Sequence, residues 1–282
     1  VRSPYVSAAE FEAYPTYLDL NDLVPGGDAA AQNAELGNAL RRASDMADAY
    51  CRMPLGARII TETSSARLHT ATGYCAVRLR NRPVIAVTGV VLTPYRVIGA
   101  RSTQIDPTGV YELDGMWQVP APGVYPGQRG RVEIQITYVA GYPATVTAAP
   151  AAAGARAVQV GDPTGIVSGQ GLRFWDPTLE EDVSVAAGYV PGSNPVPLAS
   201  PLANAHAGGA ALDALPADVH DALILWTMGL LARPTSGGDE DSFADSAGPG
   251  PTTTGRDPRR TGHGLIAGAK ELLDEGGYVR AM

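Results

Sequence analysis

Lysine is nearly missing from this chain: Lys270 stands alone against twenty arginines. Charged residues make up 18% of the 282 positions and aromatics only 6%; globular domains usually carry about 25% charge. The net charge is -8, so the chain lacks the clustered Lys and Arg with which a protein holds nucleic acid by neutralising phosphates. Cysteine occurs twice, at Cys51 and Cys75. That count fits neither a zinc-ligand spacing nor a disulfide framework, and both thiols read as small buried hydrophobes. No run of 18 apolar residues exists to span a membrane. No charged-then-apolar signal peptide opens the sequence, which predicts synthesis inside the cell.

What is present is apolar and rich in turns, with 45% hydrophobic residues, Gly 33 and Pro 23. This is enough to bury a core, and the turn content points to much β structure. The longest regular pattern is Ala29 to Arg52, where Leu36, Leu40, Ala43, Ala47 and Tyr50 form one stripe and Glu35, Asn38, Arg42 and Asp45 lie mainly off it. An amphipathic helix of roughly 36 Å is expected, with alanines that allow close approach of another backbone. Asp28 supplies its N-cap, and Pro54 with Gly56 end it. Before it, Ser7-Ala-Ala-Glu10 has the form of a capping box for a short helix running to Tyr14.

From Arg58 onward the period changes to two. Cys75, Val77 and Leu79 face one way, Val132, Ile134, Ile136 and Tyr138 alternate with polar residues, and Val84 to Leu92 is a nearly continuous apolar run suited to a buried strand. Val110 to Val124 reads as a hairpin. No helix of crossover length separates these strands, so an antiparallel sheet is expected. Residues 145–213 differ: short strand candidates separated by Gly, Pro and Asn predict an inserted small β module. Its two arginines, Arg156 and Arg173, face Asp162, Asp176, Glu180, Glu181, Asp182 and Asp213, so it too is acidic. Pro216 suits the first turn of an apolar helix carrying Val219, Leu223, Trp226 and Leu230. Residues 235–264 are read as a linker, and Leu265, Ile266, Ala269, Leu272 and Leu273 give a short terminal helix ended by Gly276-Gly277. The fold class expected is α+β, with a core in residues 1–144, an insert in 145–213, a core helix in 214–234, the linker, and a docking helix and tail in 265–282.

Motifs for chemistry are weak. Gly165-Ile-Val-Ser168-Gly lacks the glycine two residues before Ser that a nucleophile elbow needs. Gly169-Gln-Gly171 leads into Phe174 where a dinucleotide fingerprint requires a third Gly, and no Gly-Lys-Ser/Thr phosphate loop exists. Asp239-Glu-Asp241 opens like a calcium loop, but Phe243 and Ala244 stand where a ligand and the turn glycine belong. The four histidines show no ligand spacing; His206 reads as a loop residue making a turn bond. Glu180-Glu181 reads as surface charge. No catalytic, metal or cofactor-binding residue is expected, and the chain is read as no enzyme. Two other classes stay open: a glycan-binding or host-adhesion module using Phe174, Trp175 and Tyr189 in the insert, and a hydrolase with a site built from distant carboxylates.

Taken in order, Tyr14-Pro-Thr-Tyr-Leu, Ala49-Tyr-Cys-Arg52, Arg82-Pro-Val84, Tyr138-Val-Ala-Gly-Tyr142 and Leu215-Pro-Ala-Asp-Val219 make a pattern that resembles the head-to-tail connector, or adaptor, proteins of long-tailed double-stranded DNA phages. It covers roughly residues 5–144 and 214–233. The resemblance implies a structural virion protein, made in the host cytoplasm. It would form a ring, usually a dodecamer, at the neck between the portal protein and a head-completion or tail-terminator protein. Double-stranded DNA would pass through transiently, and no membrane or cofactor would be involved. It implies further that Leu36, Leu40, Ala43, Ala47, Tyr50, Trp226 and Leu230 serve subunit interfaces, and that Leu265, Ile266, Leu272, Leu273 and Tyr278 dock on the portal. A closed ring needs two different complementary faces on each copy. The insert and the long linker depart from the smallest members of that family.

Overall fold

The computed structural model describes residues 3–16, 18–69, 72–95, 101–122, 131–176, 179–232 and 262–279. The fold is α+β, with four helices and antiparallel sheets among the described residues.

Helix α1, Ala8–Ala13, is short, while α2, Ala29–Cys51, is the longest element. Asp28 caps α2 by accepting from the Ala31 amide at 2.8 Å, and Arg52 ends it in the left-handed region at φ 56. Helix α3, Ala217–Leu231, is preceded by Pro216 at the N-cap, one position earlier than the first-turn place expected for it. Helix α4 spans Gly262–Glu275. Apolar faces spaced three and four apart bring the helices together. Leu36, Leu40, Ala43 and Ala47 of α2 and Val219, Leu223 and Trp226 of α3 join Ile266, Ala269 and Leu273 of α4 in one core, together with Tyr5, Phe11 and Leu55. The two ends of the chain therefore share a single helical core.

Asp48 fastens that core to the sheet. Its carboxylate accepts from the Tyr5 hydroxyl and the Leu55 amide, both at 2.8 Å, and pairs with Arg58 at 2.6 Å, while Tyr5 Oη accepts from the Gly56 amide at 2.7 Å. Strands β1 (Arg58–His69), β2 (Tyr74–Val77), β3 (Val84–Pro94), β4 (Thr103–Ile105), β5 (Tyr111–Leu113), β6 (Met116–Pro120) and β7 (Arg131–Ala140) form a sheet of order β4-β3-β7-β1-β2-β6-β5. Its edge strands β4 and β5 are neighbours in sequence, joined through the 3-10 turn Pro107–Gly109. The sheet curls over one apolar core that includes Cys75, Val77, Leu79, Ile134, Ile136 and Tyr138. The hairpin expected over Val110 to Val124 is β5–β6, turned by Asp114 and Gly115 at φ 51 and 73. Strand β3 is less buried than its apolar run suggests. Two register irregularities, at Val84/Ala86 and Val87/Gly89, break its alternation, and only Val90 and Leu92 lie fully inside.

The segment between β7 and α3 builds a separate core around Phe174, Ile166, Val196 and Leu212. Strands β8 (Ala144–Val146), β9 (Ala157–Val158), β10 (Gly171–Trp175), β11 (Glu181–Ser184), β12 (Val196–Pro197) and β13 (Ala211–Asp213) make a four-stranded sheet, β11-β10-β13-β8, and the pair β12-β9. Entry and exit are adjacent, because Ala144 pairs with Asp213. The insert touches the curled sheet where Gly165, at φ +85, comes so close to Ala57 that a Cβ there would lie 2.3 Å from the alanine methyl.

Candidate functional site

A dense polar arrangement sits where the insert meets the helices. Ser7 Oγ accepts from the Glu10 amide at 3.1 Å, the first half of the capping box. The second half is absent from the structure's hydrogen bonds: instead of reaching back to Ser7, the Glu10 carboxylate turns to α3, where its Oε1 lies 2.6 Å from His220 Nδ1. On the other side of the ring, His220 Nε2 is 3.2 Å from Asp213 Oδ2. Asp213, the last residue of β13, also accepts from Trp175 Nε1 at 2.9 Å and from the Leu215 amide at 3.0 Å. The Trp175 indole stacks on the imidazole, centroids 3.9 Å apart.

One histidine thus pins α1, α3 and the insert together. Burial alone would lower the His220 pKa, but hydrogen bonds to Asp213 and Glu10, and their charges, outweigh it and raise it to about 9. Glu10 moves upward from its ordinary value because burial outweighs the help of His220. Both imidazole nitrogens are taken up by carboxylates, which leaves neither to activate a nucleophile. The arrangement is an ionic pin between structural units. A shallow cleft lined by Arg173, Trp175, Asp182, Asp213 and Ala217 borders it.

His206 is the second buried imidazole, and the expectation of a simple loop residue is corrected. Its side chain is fully covered, it stacks on Phe174 with centroids 3.9 Å apart, and its nitrogens lie 3.5 Å from Asp176 and 3.4 Å from Glu181. Glu181 is likewise more than surface charge. Burial works against its ionisation, but the Ala203 and Asn204 amides at 2.6 and 3.0 Å, with His206, hold its carboxyl below the usual range. Glu180 pairs with Arg173. Phe174 and Tyr189 are 0% and 6% exposed, so with Trp175 against His220 these three rings form no open stacking platform.

The residues expected at subunit interfaces face inward. Leu36, Leu40, Ala43, Ala47 and Trp226 are at most 2% exposed within their own chain, because α3, α1 and the segment around Tyr5 cover the small-residue stripe of α2. A neighbouring copy cannot touch them in this conformation. Tyr50 is half-buried, edge-on to Trp226, and donates to Asp274 Oδ2 at 2.8 Å; Leu230 is half-buried against the same core. What α2 leaves outward is a mixed-charge strip of Glu35, Asn38, Arg41, Arg42 and Asp45, with Arg42 paired to Glu35 at 2.8 Å. The portal-docking candidates also meet their own chain. Ile266 and Leu273 are buried, Leu265 and Leu272 are half-buried, and the Tyr278 hydroxyl donates to Asp218 at 2.9 Å. An amphipathic pattern shows that α4 needs a partner surface, and here α3 supplies it.

Cys51 and Cys75 are free and fully buried; burial first, then Asp48 and Asp274, pushes the Cys51 thiol up to about 12, and burial takes Cys75 to about 11. No cluster of three or more His, Cys, Asp or Glu suited to a metal occurs among the described residues. No described helix is long and apolar enough to cross a membrane. The calcium-like Asp239-Glu-Asp241 and the linker lie outside the described residues. No family model, curated protein or solved structure matches the chain.

Sequence reasoning missed the Glu10–His220–Asp213 pin. Glu10 and His220 are 210 residues apart, and the local pattern around Glu10 spells a cap, which carries no information about so distant a partner.

Proposed function

We propose that this protein is a structural subunit of a phage neck, an adaptor that forms a ring between portal and tail and continues the DNA channel. The observation that carries the reading is topological. Segments that bear the resemblance, widely separated in sequence, meet around one helical core: α2, the Tyr142 region at the end of β7, and the Leu215–Val219 opening of α3. The part without a counterpart in the smallest adaptors enters and leaves through paired strands at Ala144 and Asp213, so it is grafted on that core without interrupting it. An acidic net charge suits a channel through which DNA slides instead of being held. The exposed charged strip of α2 and the outer face of the curled sheet supply the two unlike surfaces a cyclic assembly needs.

The insert then decorates the ring. Mass photometry of the full chain, alone and mixed with its portal protein, tests the assignment: a discrete high-order species is expected, and a monomer that ignores the portal overturns it. Replacing residues 145–212 by a short turn should leave that species intact.

A further inference from the structure

Helix α4 is fastened to the core by contacts that fix its register. Ile266, Ala269 and Leu273 are buried in the helical core, and a Cβ on Gly229 of α3 would lie 2.7 Å from the Gly262 carbonyl oxygen, so the two backbones nearly touch. Lys270 Nζ stands 5.3 Å from the Tyr50 ring centroid and 5.9 Å from that of Trp226. The Tyr50 hydroxyl donates to Asp274, and Tyr278 donates to Asp218. A glycine contact at the N-terminal end of α4 and polar fasteners towards its C-terminal end make this groove fit one particular helix better than amphipathic helices in general.

The connection between α3 and α4 is far longer than this docking requires. Gly229 lies two residues before the end of α3, and Gly262 begins α4, so a tight turn of a few residues could join them. Residues 232–261 intervene instead, rich in Gly, Ser, Thr, Pro and Asp. Such a chain can reach at most about 100 Å, enough to cross to an adjacent copy of a subunit whose radius of gyration is about 19 Å.

We propose that α4 is an exchangeable arm: the groove built by α2 and α3 of one copy accepts α4 of a neighbouring copy. Every contact of the docked helix is reproduced in the exchanged form, so exchange sacrifices no contact and depends on how closely copies are held. At high dilution the arm folds back on its own chain. The proposal goes beyond the ring reading and does not depend on it.

The test uses full-length chains carrying Leu225→Cys mixed with chains carrying Gly268→Cys. A Cβ on Gly268 would lie 3.9 Å from Leu225 Cδ1, so a short bis-maleimide bridges the pair, while the buried native thiols stay unreactive. After the two are refolded together, a covalent heterodimer is expected on a denaturing gel, above the level given by either variant alone and rising with protein concentration. If the mixture stays monomeric while the double variant closes within its own chain, exchange is overturned. Should either cysteine unfold the chain, Tyr50→Cys and Asp274→Cys read the same docking from the other side with a longer linker. Rings seen by electron microscopy without interchain bridges would keep the neck assignment and remove the arm exchange; bridged pairs without rings would do the reverse.

Discussion

In the curled sheet, β1 and β7 pair continuously from Arg58↔Ala140 to Arg67↔Arg131, whereas the longest strand of the insert, β10, has 5 residues and β9 and β12 have 2 each. Long ladders satisfy their own backbone groups, so the sheet depends on its apolar alternation. Two-residue strands cannot, and side chains in the insert take over the work. Asn194 donates to the Val160 carbonyl at 2.7 Å and accepts from the Val160 amide at 3.1 Å. Thr147 donates to the Ala207 carbonyl at 2.7 Å and accepts from the Ala210 amide at 3.0 Å, and Glu181 receives two further amides. Two antiparallel regions of one chain thus rest on different residue types: the sheet tolerates polar change on its outer face, and the insert does not tolerate loss of particular polar groups.

The largest effect expected from this difference follows Phe174→Ala. It removes the fully buried ring that stacks on His206 and should cost about 3–5 kcal/mol. Hydrogen exchange should then show the insert opening while β1, β3 and β7 stay protected. Simultaneous loss of protection in both regions would break the comparison.

Next comes the pin between the regions. The folded pKa of His220, about 9, lies above the ordinary 6.5, so its stabilisation is complete below pH 6.5 and is lost as pH rises through 9. Glu10, also raised, acts in the same direction at acid pH. The unfolding temperature should therefore fall between pH 6.5 and 9 by the equivalent of up to about 3 kcal/mol. In His220→Gln the dependence over that window should be flat. An equal slope in both proteins would show that the imidazole is not the titrating link.

Asn194→Ala should cost about 2 kcal/mol by orphaning both backbone groups of Val160, read from denaturant midpoints. At the small end, Thr61→Ala removes a hydroxyl pair with Thr137, 3.0 Å apart on the exposed face of the sheet, and should stay within about 0.5 kcal/mol. If those two magnitudes came out reversed, the contrast between ladder and side-chain fastening would fall.

Much of the architecture was legible in residue order. The alternation of Val132, Ile134, Ile136 and Tyr138 marks a face that is buried in the structure, and Asp28 begins α2 where its cap predicts. Strand β4, Thr103–Ile105, went unread because three residues carry no period. The insert strands were visible through their turn residues, yet Asn194 and Glu181 looked like loop and surface groups, since a side chain standing in for a ladder bond leaves no pattern. The same limit applies to function-bearing positions. The stripe on α2 and the apolar face of α4 announce contact surfaces, but periodicity cannot say whether a surface is met by the same chain or by another copy; here Leu36, Ala43, Ala47, Ile266 and Leu273 meet within one chain.

Negative-stain electron microscopy of the full-length protein, alone and on its portal, tests the neck assignment most directly. Closed rings with a central channel and the insert projecting from the body are predicted. Single particles of one 29.2 kDa chain at every concentration, with or without portal, would contradict it.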